Sequence, residues 1–184
     1  METLLGLAGM DSYLNQYPPD NLDRDFDFAL IASLNHALES LYGARGGRGM
    51  ALRLGRASFS HGIKNFGIMA GLKHPAFQAL PLTDRIDHGL NAWATVLAKF
   101  CDQQTSVTED PSTYSFSLRP SATAWGRQSD APVCHMMVGI LQETLRWSTN
   151  GYEFYVRESN CQAMGHERCV FRINKIAIGE HQPI

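Results

Sequence analysis

Tyr152-Glu153-Phe154-Tyr155-Val156-Arg157-Glu158-Ser159-Asn160-Cys161-Gln162-Ala163-Met164-Gly165-His166-Glu167-Arg168-Cys169-Val170-Phe171-Arg172-Ile173-Asn174-Lys175-Ile176 is the stretch from which the rest of the chain can be read. It predicts two strands, about 152–158 and 168–176, separated by the polar segment 159–167. In the second, residues 169, 171 and 173 share one face. At the base of this hairpin stands the pattern E-x-x-C-x7-C, made by Glu158, Cys161 and Cys169. Zinc takes four ligands from thiolate, imidazole and carboxylate, so this hairpin supplies most of a shell. Cys134, near the predicted N-terminus of a helix over 131–148, could complete it, because the helix dipole favours the thiolate there. The spacing leaves alternatives open. His166 or His135 could replace one of these ligands, and a free cysteine is also at home in a core as a small hydrophobe.

Upstream of the hairpin the pattern is helical. Residues 25–42 carry Leu30, Ile31, Leu34, Leu38 and Leu41 on one face, and Gly43 ends that helix. Gly43-Ala44-Arg45-Gly46-Gly47-Arg48-Gly49 has the glycines of a phosphate loop but no G-K-[ST] ending and no preceding strand, so it reads as a helix–helix turn. Further helices are expected over 50–70, with Gly62 and Gly67 inside it and Ile68 near its end, and over 84–100, capped by Thr83-Asp84. Tyr114, Phe116 and Leu118 alternate with Ser115, Ser117 and Arg119 as a strand. Asp130 is placed to cap the 131–148 helix, whose stripe is Cys134, Met137, Val138, Leu141 and Leu145. The fold class is α+β, a helical N-terminal half packed on a small, mostly antiparallel sheet. Residues 1–23 read as a loop-like extension, 24–178 as a single domain and 179–184 as a tail.

Composition narrows the function. The chain has 184 residues, 44% hydrophobic and 18% charged, with a net charge of −2. A chain of this size buries roughly 70% of its unfolded surface, which excludes disorder. Without a basic block, direct nucleic-acid binding is disfavoured. No signal peptide, membrane-spanning run or lipidation motif is evident, and a cytoplasmic location is expected. In a reducing compartment Cys101, Cys134, Cys161 and Cys169 are expected as thiols or metal ligands.

The segment Pro132-Val133-Cys134-His135, with Gly139 after it, followed by Glu158-x-x-Cys161-x-x-x-Gly165-x-x-x-Cys169-x-Phe171, closely resembles the 4-vinyl reductase domain family. That small-molecule-binding module also serves as the sensor of phenol- and xylene-responsive activators. The resemblance implies a fold like the nitric-oxide-signalling and Golgi-transport domains, and a homodimer. It also implies a structural zinc held by Cys134, Glu158, Cys161 and Cys169. A closed shell of four protein ligands leaves no open position for chemistry. The implied ligand is a small hydrophobic or aromatic compound. His88, Trp93, Tyr114, Phe116, Trp125, His135 and Trp147 are the candidate contacts, with Phe100, Tyr152 and Phe154 as further aromatic lining.

The family name raises an enzyme, yet no nicotinamide fingerprint, flavin signature or iron–sulfur cysteine run supplies reducing power. Non-catalytic binding is therefore the expectation, with signalling through a separate partner protein. The alternative is tetrapyrrole binding or an accessory role in 4-vinyl reduction, which needs no such machinery. Redox sensing through the thiolates ranks lower, since no resolving cysteine stands beside an exposed one.

Overall fold

The computed structural model describes residues 2–66 and 70–179. Gly67 and Ile68 of the expected second helix, and residues 180–184 of the expected tail, lie outside them. Helix α1 (Glu2–Leu7) and a 3-10 turn (Asp11–Leu14) precede the long helix α2 (Phe28–Phe66). A short α3 (Pro75–Gln78) and α4 (Leu82–Phe100) follow. Next come β1 (Gln104–Glu109), β2 (Thr113–Arg119), α5 (His135–Ser148), β3 (Phe154–Asn160) and β4 (Cys169–Ala177). The four strands form one sheet in the order β1-β2-β4-β3, antiparallel throughout. The α+β class is as expected.

Strand alternation places the core. Tyr114, Phe116 and Leu118 of β2, with Cys169, Phe171 and Ile173 of β4, are buried under α4 and α5. Helix α2 packs across α5 as the outer layer, and two glycines set that contact. A Cβ on Gly55 would overlap the carbonyl oxygen of Met136, and one on Gly139 would overlap that of Leu52. The backbones of the two helices therefore approach to a distance that only glycine allows.

Four local expectations are corrected. The turn expected over 43–49 is a single kink: Gly43 takes φ 70° and ψ 168°, and the helix resumes at once. Gly47 then sits hard against the backbone of Glu39, and this tertiary contact outweighs the poor helix propensity of the glycine run. Residues 1–23 are not wholly loop-like, since Leu5, Ala8 and Met10 form a small second core with Ala37. Strand β1 went unread because only Val107 in Gln104–Glu109 is apolar. Finally, Thr83-Asp84 and Asp130 do not cap. Helix α4 starts after Pro81 and α5 after Cys134, neither with a side-chain cap.

Two substitutions test this packing. Gly139→Ala is expected to destabilise by about 1–3 kcal/mol in urea melts, because it overpacks the α2–α5 contact. At Gly49, where a Cβ meets nothing within 4 Å, alanine is expected to stabilise by about 0.5–1 kcal/mol. A turn at residues 44–49 would reverse that second sign.

Candidate functional site

Cys134 is the residue before the first turn of α5, Glu158 faces inward from β3, Cys161 follows the end of that strand and Cys169 begins β4. A 3-10 turn over Gln162–Met164 closes the loop between the last two, with Gly165 in the left-handed region at φ 88°. The four side chains are buried, and one donor atom from each lies within 4.8 Å of all the others. The Cys134 sulfur is 3.9 Å from that of Cys161 and 3.5 Å from that of Cys169. These are non-bonded thiols, far beyond a disulfide length. Tetrahedral arms of about 2.3 Å have edges of about 3.8 Å, so the sulfurs stand close to the spacing of a thiolate shell.

The electrostatics fit the same reading. Glu158 Oε2 accepts a hydrogen bond from the backbone N–H of Cys134 at 2.9 Å, while its buried Oε1 has no partner. Burial first, and then the charge on Cys161, push the Glu158 carboxyl up to about 8. Burial holds the Cys134 thiol well above its ordinary range, whereas hydrogen bonds from Cys134 and Cys169 hold Cys161 low. Without a cation these groups cannot all ionise together. An unpartnered carboxylate oxygen beside three converging sulfurs is a donor set that could hold a metal ion.

The histidines stand apart. His166 turns Nδ1 to the backbone of Cys161, 3.1 Å from its carbonyl oxygen and 3.3 Å from its nitrogen. His135, half-buried at the start of α5, has its pKa lowered by burial and then by Arg48. Among the described residues, the metal-holding group consists of the three cysteines and Glu158.

Beside this cluster opens a cavity of about 680 Å³. Its walls come from α4, α5, the N-terminal half of α2 and the loop after β2. They include Ile31, Leu97, Met137 and Ile140, and residues 23–28 cross over it. Arg24 ties that strap down by an ion pair to Asp102 at 2.7 Å and a hydrogen bond to the Lys99 carbonyl. Ser121 belongs to both features. It lines the cavity, and its Oγ is 3.3 Å from the Cys134 sulfur.

Of the expected contacts, Trp93, Phe100 and Trp125 line this cavity, and the buried Trp93 Nε1 has no hydrogen-bond partner. The others are placed elsewhere. Tyr114 and Phe116 lie in the main core with Phe154, Trp147 packs edge-on against Phe59, and His135 follows Cys134. His88 is exposed and hydrogen-bonded to the Asp84 carbonyl, and Tyr152 is also exposed. On α4 the step from His88 to Trp93 turns about 140° at about 100° per residue, so the two cannot share a wall. Reading the sequence missed Ile31, Met136, Ser121 and the strap as lining, because nothing local marks them as neighbours. Cys101 also lines the cavity, and burial raises its pKa.

In the metal-free protein, Glu158 stabilises most below its ordinary pKa of 4.5, and that stability is lost as pH rises through about 8. Urea melts of chelator-treated protein between about pH 5 and about pH 8 are expected to show this decline, and Glu158→Gln to flatten it.

Comparison with curated proteins finds no match. Among solved structures, the phenol-responsive sensory domain of the transcription activator PoxR, with phenol, is 18% identical at a TM-score of 0.56. That alignment covers 81% of this chain and 74% of the other. An H-NOX protein from S. oneidensis in the Fe(II)NO ligation state is 10% identical at a TM-score of 0.52, covering 94% of this chain and 98% of the other. An unliganded Fe(II) H-NOX mutant from K. algicida is 15% identical at a TM-score of 0.52, covering 95% and 86%. At these identities the likeness is one of fold, and it includes the expected nitric-oxide-signalling type. Residues 115–175, from within β2 nearly to the end of β4, match the family model of the 4-vinyl reductase domain, the same family that the cysteine hairpin resembles.

Proposed function

We propose that this chain binds a small hydrophobic or aromatic ligand without transforming it, in a module stabilised by zinc, and signals through a partner chain. The observation that carries the reading is a largely apolar cavity of about 680 Å³ sharing the Ser121 wall with the buried cysteine–glutamate cluster. Ligand sites commonly have this size and character. The fold likeness to the PoxR sensory domain supports the ligand class, and no helix among the described residues is long and apolar enough to cross a membrane.

Zinc is the metal we assign, since three thiolates and a carboxylate in tetrahedral spacing suit it and a closed shell suits a structural role. Cys134, Glu158, Cys161 and Cys169 would hold it, joining the start of α5 to the β3–β4 hairpin. Bound zinc would supply the positive charge that lets neighbouring thiolates and Glu158 ionise together. Purified wild type is expected to carry about one zinc per chain. The Cys161→Ser, Cys169→Ser double variant is expected to lose it and to melt well below wild type. Metal-free wild type melting like the variant would refute the assignment. We also place a homodimer in this reading, to be checked by sedimentation.

Trp93 is assigned as the polar contact. A buried indole N–H without a partner, on a cavity wall, favours a ligand that brings an acceptor oxygen. Phenol titrated against melting temperature is expected to stabilise wild type, and Trp93→Phe to weaken that binding about tenfold, the worth of one hydrogen bond. Equal stabilisation by benzene and phenol would remove the polar contact from the reading.

A further inference from the structure

We propose that the outer face of the sheet, behind the cysteine hairpin, docks an acidic polypeptide segment on Arg157, Arg172 and Arg168. Alternation along the hairpin puts these arginines there. Glu158 points in and its neighbour Arg157 points out, while Cys169 points in and Arg168 lies on the other side over Ser117. Arg157 stands directly opposite Arg172 on the adjoining antiparallel strand. Like charges in such a pair repel, and the fold does not compensate them fully. Arg172 is shared with Asp110 at 2.8 Å, and Arg168 reaches only the Ser117 hydroxyl, at 3.2 Å. Arg157 is exposed, with no acidic partner among the described residues.

The floor between these arginines is shallow. Ser115 pairs with Arg172, and Ser117 bonds to Ser106 at 2.7 Å. Tyr155, two residues before Arg157 on the same face, is 55% exposed. Arginine and tyrosine over a floor of small side chains form the kind of surface on which protein interfaces concentrate their binding energy. The charge selects the partner's chemistry, because carboxylates seated between Arg157 and Arg172 would relieve the repulsion. Nucleic acid suits the face less well. Sheets that hold single strands stack bases on several aromatic rings, whereas Tyr155 is the exposed ring on these strands. The inference does not depend on what fills the cavity or on which metal the cysteines take.

The test uses the full chain and a fluorescein-labelled oligoglutamate peptide, followed by anisotropy at low and at physiological salt. Wild type is expected to bind with an affinity that falls as salt rises. Arg157→Glu and Arg168→Glu are each expected to weaken binding about tenfold, and Arg53→Glu, on the exposed side of α2, to leave it unchanged. Arg157→Glu sets a carboxylate opposite Arg172, so its melting temperature should hold or rise, which separates lost docking from lost folding. The proposal is overturned if wild type does not bind the peptide or if all three variants bind like wild type. It is also overturned if unlabelled oligothymidylate displaces the peptide more effectively than unlabelled oligoglutamate, or if Arg157→Glu converts a dimer to monomers in sedimentation.

Discussion

The close approach of α2 to α5 at Gly55 and Gly139 is the contact on which the candidate site depends. Helix α5 holds Cys134 just ahead of its first turn and presents Met137 and Ile140 to the cavity, so its position sets both features. The two glycines fix the depth at which α5 lies beneath α2. The kink at Gly43 then re-aims the first half of α2, bringing Ile31 to the cavity wall. A side chain on either glycine would act at a distance on the ligand space and on the cysteine cluster together, because both hang from one helix.

Three thiols and a carboxylate within 4.8 Å, all buried, are an expensive arrangement for a protein that gains nothing from them. The Glu158 oxygen without a partner is the plainest sign that the hydrogen bonds of the folded chain do not complete the cluster. A cation would complete it, and would link a helix N-terminus to a hairpin by bonds that hydrophobic packing cannot replace. Because Ser121 touches both the Cys134 sulfur and the cavity, the state of either one bears on the other.

The hairpin and its inward face were legible because two periods coincide there: alternating apolar residues, and cysteines whose spacing places them on that same face. Position 43 was legible as a break, since glycine in a helix invites one. That the helix resumes within a residue was not, because the reason is Gly47 seated against Glu39, a contact made only in three dimensions. Strand β1 escaped because an edge strand with one apolar residue is held by backbone pairing to β2 rather than by pattern. The cavity was half legible. Trp93 and Trp125 stood out by chemistry, but the strap, Ile31 and the loop after β2 meet only because the chain returns from distant positions.

Strand β3 carries opposite chemistry on its two sides, Phe154, Val156 and Glu158 inward with Tyr155, Arg157 and Ser159 outward. Its pairing with β4 is irregular on both flanks, with shifts between Phe154 and Val156 and between Glu158 and Asn160. An irregular ladder is one that can misalign during folding. A slip of one residue would drive a guanidinium among the thiols and put the carboxylate in water. The buried cluster thus acts as a proofreader of the hairpin, because only the correct alignment brings its donors together. A chain that meets its metal late has to rely on hydrophobic alternation alone to reject the wrong alignment.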